Sequence, residues 1–288
     1  MSIHRRENSA ALMNSYIHML SCPICHGSIA KVDRNHIQCA SRHAFDFAKQ
    51  GYINVMTRNF KGNYGKQLFT AKRRILSETD VYAPLGEKLR AWVDDYSTEA
   101  SHPVHILDAG AGEGTFLNQI TKDTSVVGWG LDIAKEGIAL AASAYPQQIW
   151  FVGDLACNPF VAGQMDLILN ILSPSNYEEF RRIRKAGGWT IKVIPREQYL
   201  IELRELLFPD RFEHKNSYDH TFNRFAKYNH VLATIPLTYT QPVPEHLLDS
   251  LIHMTPLSWH ATESDLARMK DSLSEITIDV EILVGTSL

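Results

Sequence analysis

Cys22, Cys25, Cys39 and His43 are the residues whose types and spacing first suggest chemistry. Cys22 and Cys25 form a C-x-x-C knuckle, thirteen residues intervene, and Cys39 and His43 form a C-x-x-x-H pair. Together they supply the four N/S ligands that tetrahedral zinc takes in closed structural sites. A redox dithiol would need only Cys22 and Cys25 and would leave Cys39 and His43 without a purpose. His26 and His36 are substitute ligands that spacing alone leaves open. With four protein ligands there is no open position for water, so the expected zinc is structural. It would organise a segment of about 40 residues too small to fold unaided, and its binding energy becomes folding energy.

A second stretch, HPVHILDAGAGEGTF, carries a different chemistry. The apolar run from Val104 to Leu107 reads as a strand ending in Asp108, and Gly110, Gly112 and Gly114 lead into the helix-like FLNQITKD. Glycine at alternate positions lets backbone approach a ligand, and the helix start favours negative charge on that ligand. The next apolar run, VVGWGLD, ends in Asp132, placed to accept hydrogen bonds from both hydroxyls of a ribose. A third, IWFVGDL, ends in Asp154, suited to an adenine amino group. Three such loops predict a nucleoside cofactor on a doubly wound sheet. No G-K-[ST] follows the glycines, which excludes a phosphate loop. The G-x-G-x-G form, with Asp108 two residues before the first glycine, resembles class I S-adenosylmethionine-dependent methyltransferases more than the dinucleotide pattern G-x-G-x-x-G.

The elements that must position these residues follow from the rest of the chain. Its 288 residues, 44% of them hydrophobic, suffice for one large domain with a small appendage. No run approaches about 18 apolar residues, and the polar opening MSIHRRENSAALMNSYIHML supports neither a membrane span nor a secretory signal. A cytoplasmic location is expected, where clustered thiols favour a metal over disulfides. Residues 31 to 74 hold ten Lys or Arg against Asp33 and Asp46, a net of +8 that leaves −11 for the remainder of a chain whose total is −3. That asymmetry points to a nucleic-acid partner for the amino-terminal part. Phe45, Phe47, Tyr52, Phe60 and Tyr64 are then either stacking surfaces or the small domain's own core. NFKGNYGKQ reads as a mobile linker and KQLFTAKRRILSE as a helix. Beyond Asp154, MDLILNILSPSNYEEFRRIRKAGGWTIKVIP reads as strand, loop, helix, glycine turn and strand. PREQYLIELRELLF and PEHLLDSLIHM are helical, HVLATIPLTYTQPV and EITIDVEILVG strands. The alternation predicts an α/β fold: a Rossmann-like class I methyltransferase sheet, seven-stranded and mixed, with a small N-terminal zinc ribbon.

The knuckle, FDFAKQGYINVM after it, AKRRIL before DVYAPL, then DAGAGEG and MTPLSWHA occur in this order. The combination resembles the large-subunit (23S) rRNA guanine-N1 methyltransferase family over essentially the whole chain from Cys22. The resemblance implies a zinc-binding RNA-recognition domain over 1–60, a linker helix over 61–80 and a methyltransferase domain over 81–288. It also implies S-adenosylmethionine as donor, a 23S rRNA hairpin as partner and a homodimer. Carried over residue by residue, Cys22, Cys25, Cys39 and His43 hold zinc. Tyr82, Gly112, Glu113 and Tyr199 touch the cofactor, with Asp108, Gly110, Gly114, Asp132 and Asp154 completing its pocket. Ser173, Pro174, Ser175 and Asn176 fall at the junction of cofactor and substrate. The chain departs from the family at Ala111 and Ser175, where cysteine is common, and at Tyr199, where histidine is frequent; the last two bear on the target base.

The implied reaction places a guanine nitrogen in line with an activated methyl and excludes water. Guanine N1 carries a proton that a partner must take. Asn176, His260 and Asp154 are the candidates, and Trp259 is a candidate to stack on an extruded base. Two other classes fit the residues less fully: a methyltransferase paralogue acting on another RNA or a small molecule, and a non-catalytic RNA-binding factor.

Overall fold

The computed structural model describes residues 2–58, 62, 64–122, 124–208, 217–255, 257–258 and 261–288. Helix α1 (Ser2–Ser15) precedes a three-stranded antiparallel sheet of β1 (Ile29–Val32), β2 (His36–Cys39) and β3 (Ala44–Asp46). After β4 (Ile53–Asn54), helices α2 (Lys66–Glu78) and α3 (Ala83–Glu99) lead into alternating units. These are β5 (His105–Ala109), α4 (Thr115–Thr121), β6 (Val127–Asp132), α5 (Lys135–Ala144), β7 (Ile149–Val152), β8 (Met165–Ile171), α6 (Tyr177–Ile183) and β9 (Arg184–Pro195). Helices α7 (Ile201–Leu207) and α8 (Ser217–Tyr228), strand β10 (His230–Pro242), helices α9 (Leu248–His253) and α10 (Glu263–Ser272) and strand β11 (Glu275–Thr286) complete the chain.

The large sheet has the order β10-β11-β9-β8-β5-β6-β7-β4. Strands β4 to β9 run parallel, while β11 pairs antiparallel with both β9 and β10. Seven strands come from residue 105 onward, in the expected mixed arrangement. The eighth is a correction to the seven expected: Ile53 and Asn54, from the amino-terminal part, pair with Phe151 and Val152 on β7. The chain winds one way through β5, β6 and β7 and then back through β8 and β9, so the sheet's switch point lies between β5 and β8. A crevice opens beyond the strand ends at such a point.

The two faces of the sheet are covered differently. Helices α4 and α5 bury Leu117, Ile120, Ile138 and Ala141 on one face, with α2 and α3 beside them. The β7-to-β8 connection has only a short 3₁₀ turn at Leu155–Cys157, which leaves the opposite face without a crossover helix there. Met13, Met19, Leu20, Ile37 and Phe47 fill that place and pack with Trp129, Phe151 and Phe160 in one continuous core. The small sheet is therefore a covering layer of the large one, tied by backbone bonds from Ser21 N to Pro159 O (2.8 Å) and from Val161 N to Met19 O (2.9 Å). Tyr52, Phe45 and Phe47 are core, not stacking surface. Phe60 lies outside the described residues, as does much of the expected linker. Among the described residues, no helix is long and apolar enough to cross a membrane.

Candidate active site and metal centre

The metal centre forms where two tight turns face each other. His26 (φ 57°) and Arg42 (φ 67°) take left-handed backbone next to Cys25 and His43 and turn both knuckles inward. Cys25 Sγ and Cys39 Sγ lie 3.8 Å apart, and His43 Nδ1 lies 3.5 Å from the Sγ atoms of both Cys22 and Cys39. All four ligand atoms fall within 4.8 Å of one another. A tetrahedron with Zn–S near 2.3 Å and Zn–N near 2.0 Å has S···S edges of about 3.8 Å and S···N edges of about 3.5 Å. These separations are therefore ligand edges, not thiol hydrogen bonds, and the donor set fits zinc. The Ile24 and His43 N–H groups donate to Cys22 Sγ (3.4 Å) and Cys39 Sγ (3.3 Å), which fixes the direction in which each sulfur faces the centre. Neither substitute ligand is needed, since His26 is outside the cluster and His36 Nδ1 lies 3.5 Å from Asp33 Oδ1. Cys157 is not a ligand; its thiol donates to Pro23 O at 3.1 Å and ties the knuckle to the turn after β7.

A cavity of about 1030 Å³ opens at the switch point. Tyr82, Gly110, Gly112, Asp132, Asp154, Asn176 and Tyr199 line it, as do Ser173 to Ser175. Asp108, Glu113 and Gly114 do not. Gly114 caps α4 with φ 83°, and a Cβ there would overlap the Trp150 indole. A Cβ on Gly110 (φ 90°) would overlap Ser173 Oγ. Two of the three loop glycines thus make room for protein, a requirement that their spacing does not reveal.

Asp132 Oδ2 accepts from Gly112 N at 2.8 Å and Oδ1 from Ala134 N at 2.7 Å, which braces the loop against the end of β6. Asp154 accepts from Ala156 N and from Arg58, each at 2.9 Å. Burial would raise its pKa, but those two partners hold it below the usual carboxylate range. Burial pushes Asp108 up to about 7; Lys72 opposes the rise, and Asp132 and Glu113 add to it. Asn176 Oδ1 caps α6 by accepting from Glu179 N at 3.2 Å. His260 and Trp259 lie outside the described residues.

Asn170 holds the two sides of the crevice together. Its Nδ2 donates to Ala109 O (2.6 Å) and Pro174 O (3.0 Å), while its Oδ1 accepts from Ser175 Oγ (2.7 Å) and Lys192 Nζ (2.6 Å). The sequence reading missed Asn170 and Lys192. A signal existed, because each is a polar residue inside an otherwise apolar strand, MDLILNI and TIKVI. Lys72 was missed as a cavity residue because its α2 neighbours Arg73 and Arg74 made it look like one of a solvated basic run.

The RlmA N-terminal zinc-ribbon family matches residues 20–63. YxjB of Bacillus subtilis (strain 168), provisionally named a 23S rRNA (guanine-N(1)-)-methyltransferase, is 35% identical over 93% of this chain and 96% of its own. The 23S rRNA (guanine(748)-N(1))-methyltransferase of Streptomyces fradiae is 29% identical over 95% of this chain and 98% of its own. Among solved structures, the MccD protein is similar over 71% of this chain and 98% of its own, at 13% identity and a TM-score of 0.46. Near-complete coverage at this identity, with the Cys₃His centre in the matched ribbon, means that the chain belongs to the 23S rRNA guanine-N1 methyltransferase family.

Proposed function

We propose that the protein transfers a methyl group from S-adenosylmethionine to N1 of a guanine in a hairpin loop of 23S rRNA, acting as a cytoplasmic homodimer. Three parts divide the work: a zinc-binding RNA-recognition head over 1–60, a linker helix within 61–80 and a methyltransferase domain over 81–288. One observation carries the reading. The metal-braced, basic head shares a core with the sheet whose switch point forms the cavity, so RNA held by the head is presented to that cavity in a fixed geometry.

Asp132 takes the ribose hydroxyls and Asp154 the adenine amino group, with Tyr82 and Tyr199 closing the wall beside Gly110 and Gly112. Asp108, Glu113 and Gly114 shape the glycine loop without lining the cavity. The bound donor supplies a methyl on a sulfonium, already activated, which leaves the protein to align the base and exclude water. Zinc supplies folding energy alone, because four protein ligands fill its coordination.

The test is comparison, by mass spectrometry, of digested 23S rRNA from cells with and without this gene. Loss of one monomethylguanosine is expected and locates the nucleotide. An unchanged rRNA would remove the reading, and methylation of a small molecule by the purified protein would replace it.

A further inference from the structure

Methylation at guanine N1 needs an acceptor for the N1 proton, and the cavity offers few. Asp132 is engaged by two backbone N–H groups, and Asp154 is held below the usual range by Arg58 and Ala156. Asn176 is not basic, Arg224 cannot deprotonate, and His220 is exposed on α8. Lys72 is committed to three buried carboxylates, Asp108, Asp132 and Glu113, each of which feels its charge.

Lys192 differs from all of these. It projects from the middle of β9, is 4% exposed and lines the cavity beside Ser173 and Pro174. Ser173 from the loop after β8, Tyr177 at the start of α6, and His220 and Arg224 from α8 line the same cavity. Among the described residues no carboxylate forms an ion pair with it, and burial alone lowers its pKa to about 8. Its Nζ donates to Asn170 Oδ1 at 2.6 Å and to the Ser173 carbonyl. A neutral amine has two N–H donors and one lone pair. Both donors are taken by the protein, which leaves the lone pair for the cavity.

Resting on the function proposed above, we propose that neutral Lys192 accepts the N1 proton of the target guanine during methyl transfer. The N1–H bond breaks and the proton goes to Nζ. The electron pair left on N1 forms the bond to the methyl carbon, and the carbon–sulfur pair stays on sulfur. One positive charge enters the closed site on the sulfonium and one remains there afterwards on the ammonium, so no net charge is created in a low-dielectric space. A sulfonium nearby also repels an ammonium, which holds Lys192 neutral until the transfer occurs.

Two measurements test this. The first is carbon-13 NMR titration of lysine-labelled protein, with Lys192 assigned by its absence from Lys192→Gln. Its midpoint is expected near 8, and lower by roughly one unit with S-adenosylmethionine than with the uncharged S-adenosylhomocysteine. An ordinary lysine midpoint in both complexes overturns the proposal. The second is single-turnover methylation of 23S rRNA against pH. Lys192→Gln and Lys192→Met are expected to lose at least about 100-fold in rate and the plateau above the wild-type midpoint. Donor affinity by calorimetry is expected to stay within about threefold. Loss of less than tenfold with an unchanged pH profile, or rescue by Lys192→Arg, shows that Lys192 only holds the Ser173 loop and overturns the proposal. A wild-type protein inactive on 23S rRNA removes the functional reading itself, and this assignment with it.

Discussion

The hydroxyls of Tyr82 and Tyr199 lie 2.7 Å apart although 117 residues separate them in sequence. Tyr82 caps α3 and Tyr199 precedes α7, so this bond joins the helical layer to the strand-end loops at the cavity wall. Burial pushes both phenols up, Tyr199 to about 12, so both stay neutral donors across the physiological range. Tyr199→Phe is expected to cost about 1–2 kcal/mol, because it strands the Tyr82 hydroxyl. Adding Tyr82→Phe should cost less than a second equal step. Urea unfolding of the two single variants and the double variant gives the coupling directly; strict additivity would show that the bond contributes nothing.

Zinc removal tests the shared core. Met19, Leu20 and Ile37 pack in the same cluster as Trp129 and Phe151, so the head cannot melt without exposing the large sheet. A chelator, or Cys39→Ser, is expected to shift one cooperative unfolding transition downward, read by calorimetry with metal content measured in parallel. Two resolved transitions with the upper one unmoved would show instead that the head is an independent unit.

Strands β5, β6 and β7 could be read from the sequence because each is a short apolar run with an aspartate at or near its end, and the zinc ligands because coordination fixes their spacing. Ile53–Asn54 could not. Two residues carry no periodicity, and their strand exists only because β7 presents an open edge. Asn176 lines the cavity, and its Oδ1 is engaged in capping α6, a local bond that the spacing of the sequence does not reveal and that competes with the catalytic use its position suggested. The glycine loop was recognised by pattern, yet what fills the space beside Gly110 and Gly114 comes from Ser173 and Trp150, distant in sequence.

Gly114 gives a stability prediction that separates packing from donor binding. Alanine there would need left-handed backbone and would drive its Cβ into Trp150. A loss of about 2–4 kcal/mol is expected in denaturant unfolding. Trp150→Leu in the same chain should recover part of it, since it removes the ring. A Gly114→Ala protein of wild-type stability that fails to bind donor would place Gly114 in the binding surface instead.

Asp108 predicts how stability varies with pH. Its carboxyl is 2% exposed, and burial raises its pKa from 3.8 to about 7 in the folded protein. A raised carboxyl means that the native state binds the proton more tightly than the unfolded chain. Stability from this group is therefore full below about pH 4 and is lost as the pH climbs towards 7 and above. The shift bounds the loss at roughly 4 kcal/mol, with Lys72 opposing it. Asp108→Asn should raise the melting temperature at pH 8, with the gain shrinking as the pH falls and vanishing near pH 4. Lys72→Met should act in the opposite sense, lowering stability at pH 8 by removing the cation that partly offsets the buried charge. Melting curves of the three proteins from pH 4 to 8 decide the matter: parallel profiles for wild type and Asp108→Asn would mean that Asp108 titrates alike in the folded and unfolded states.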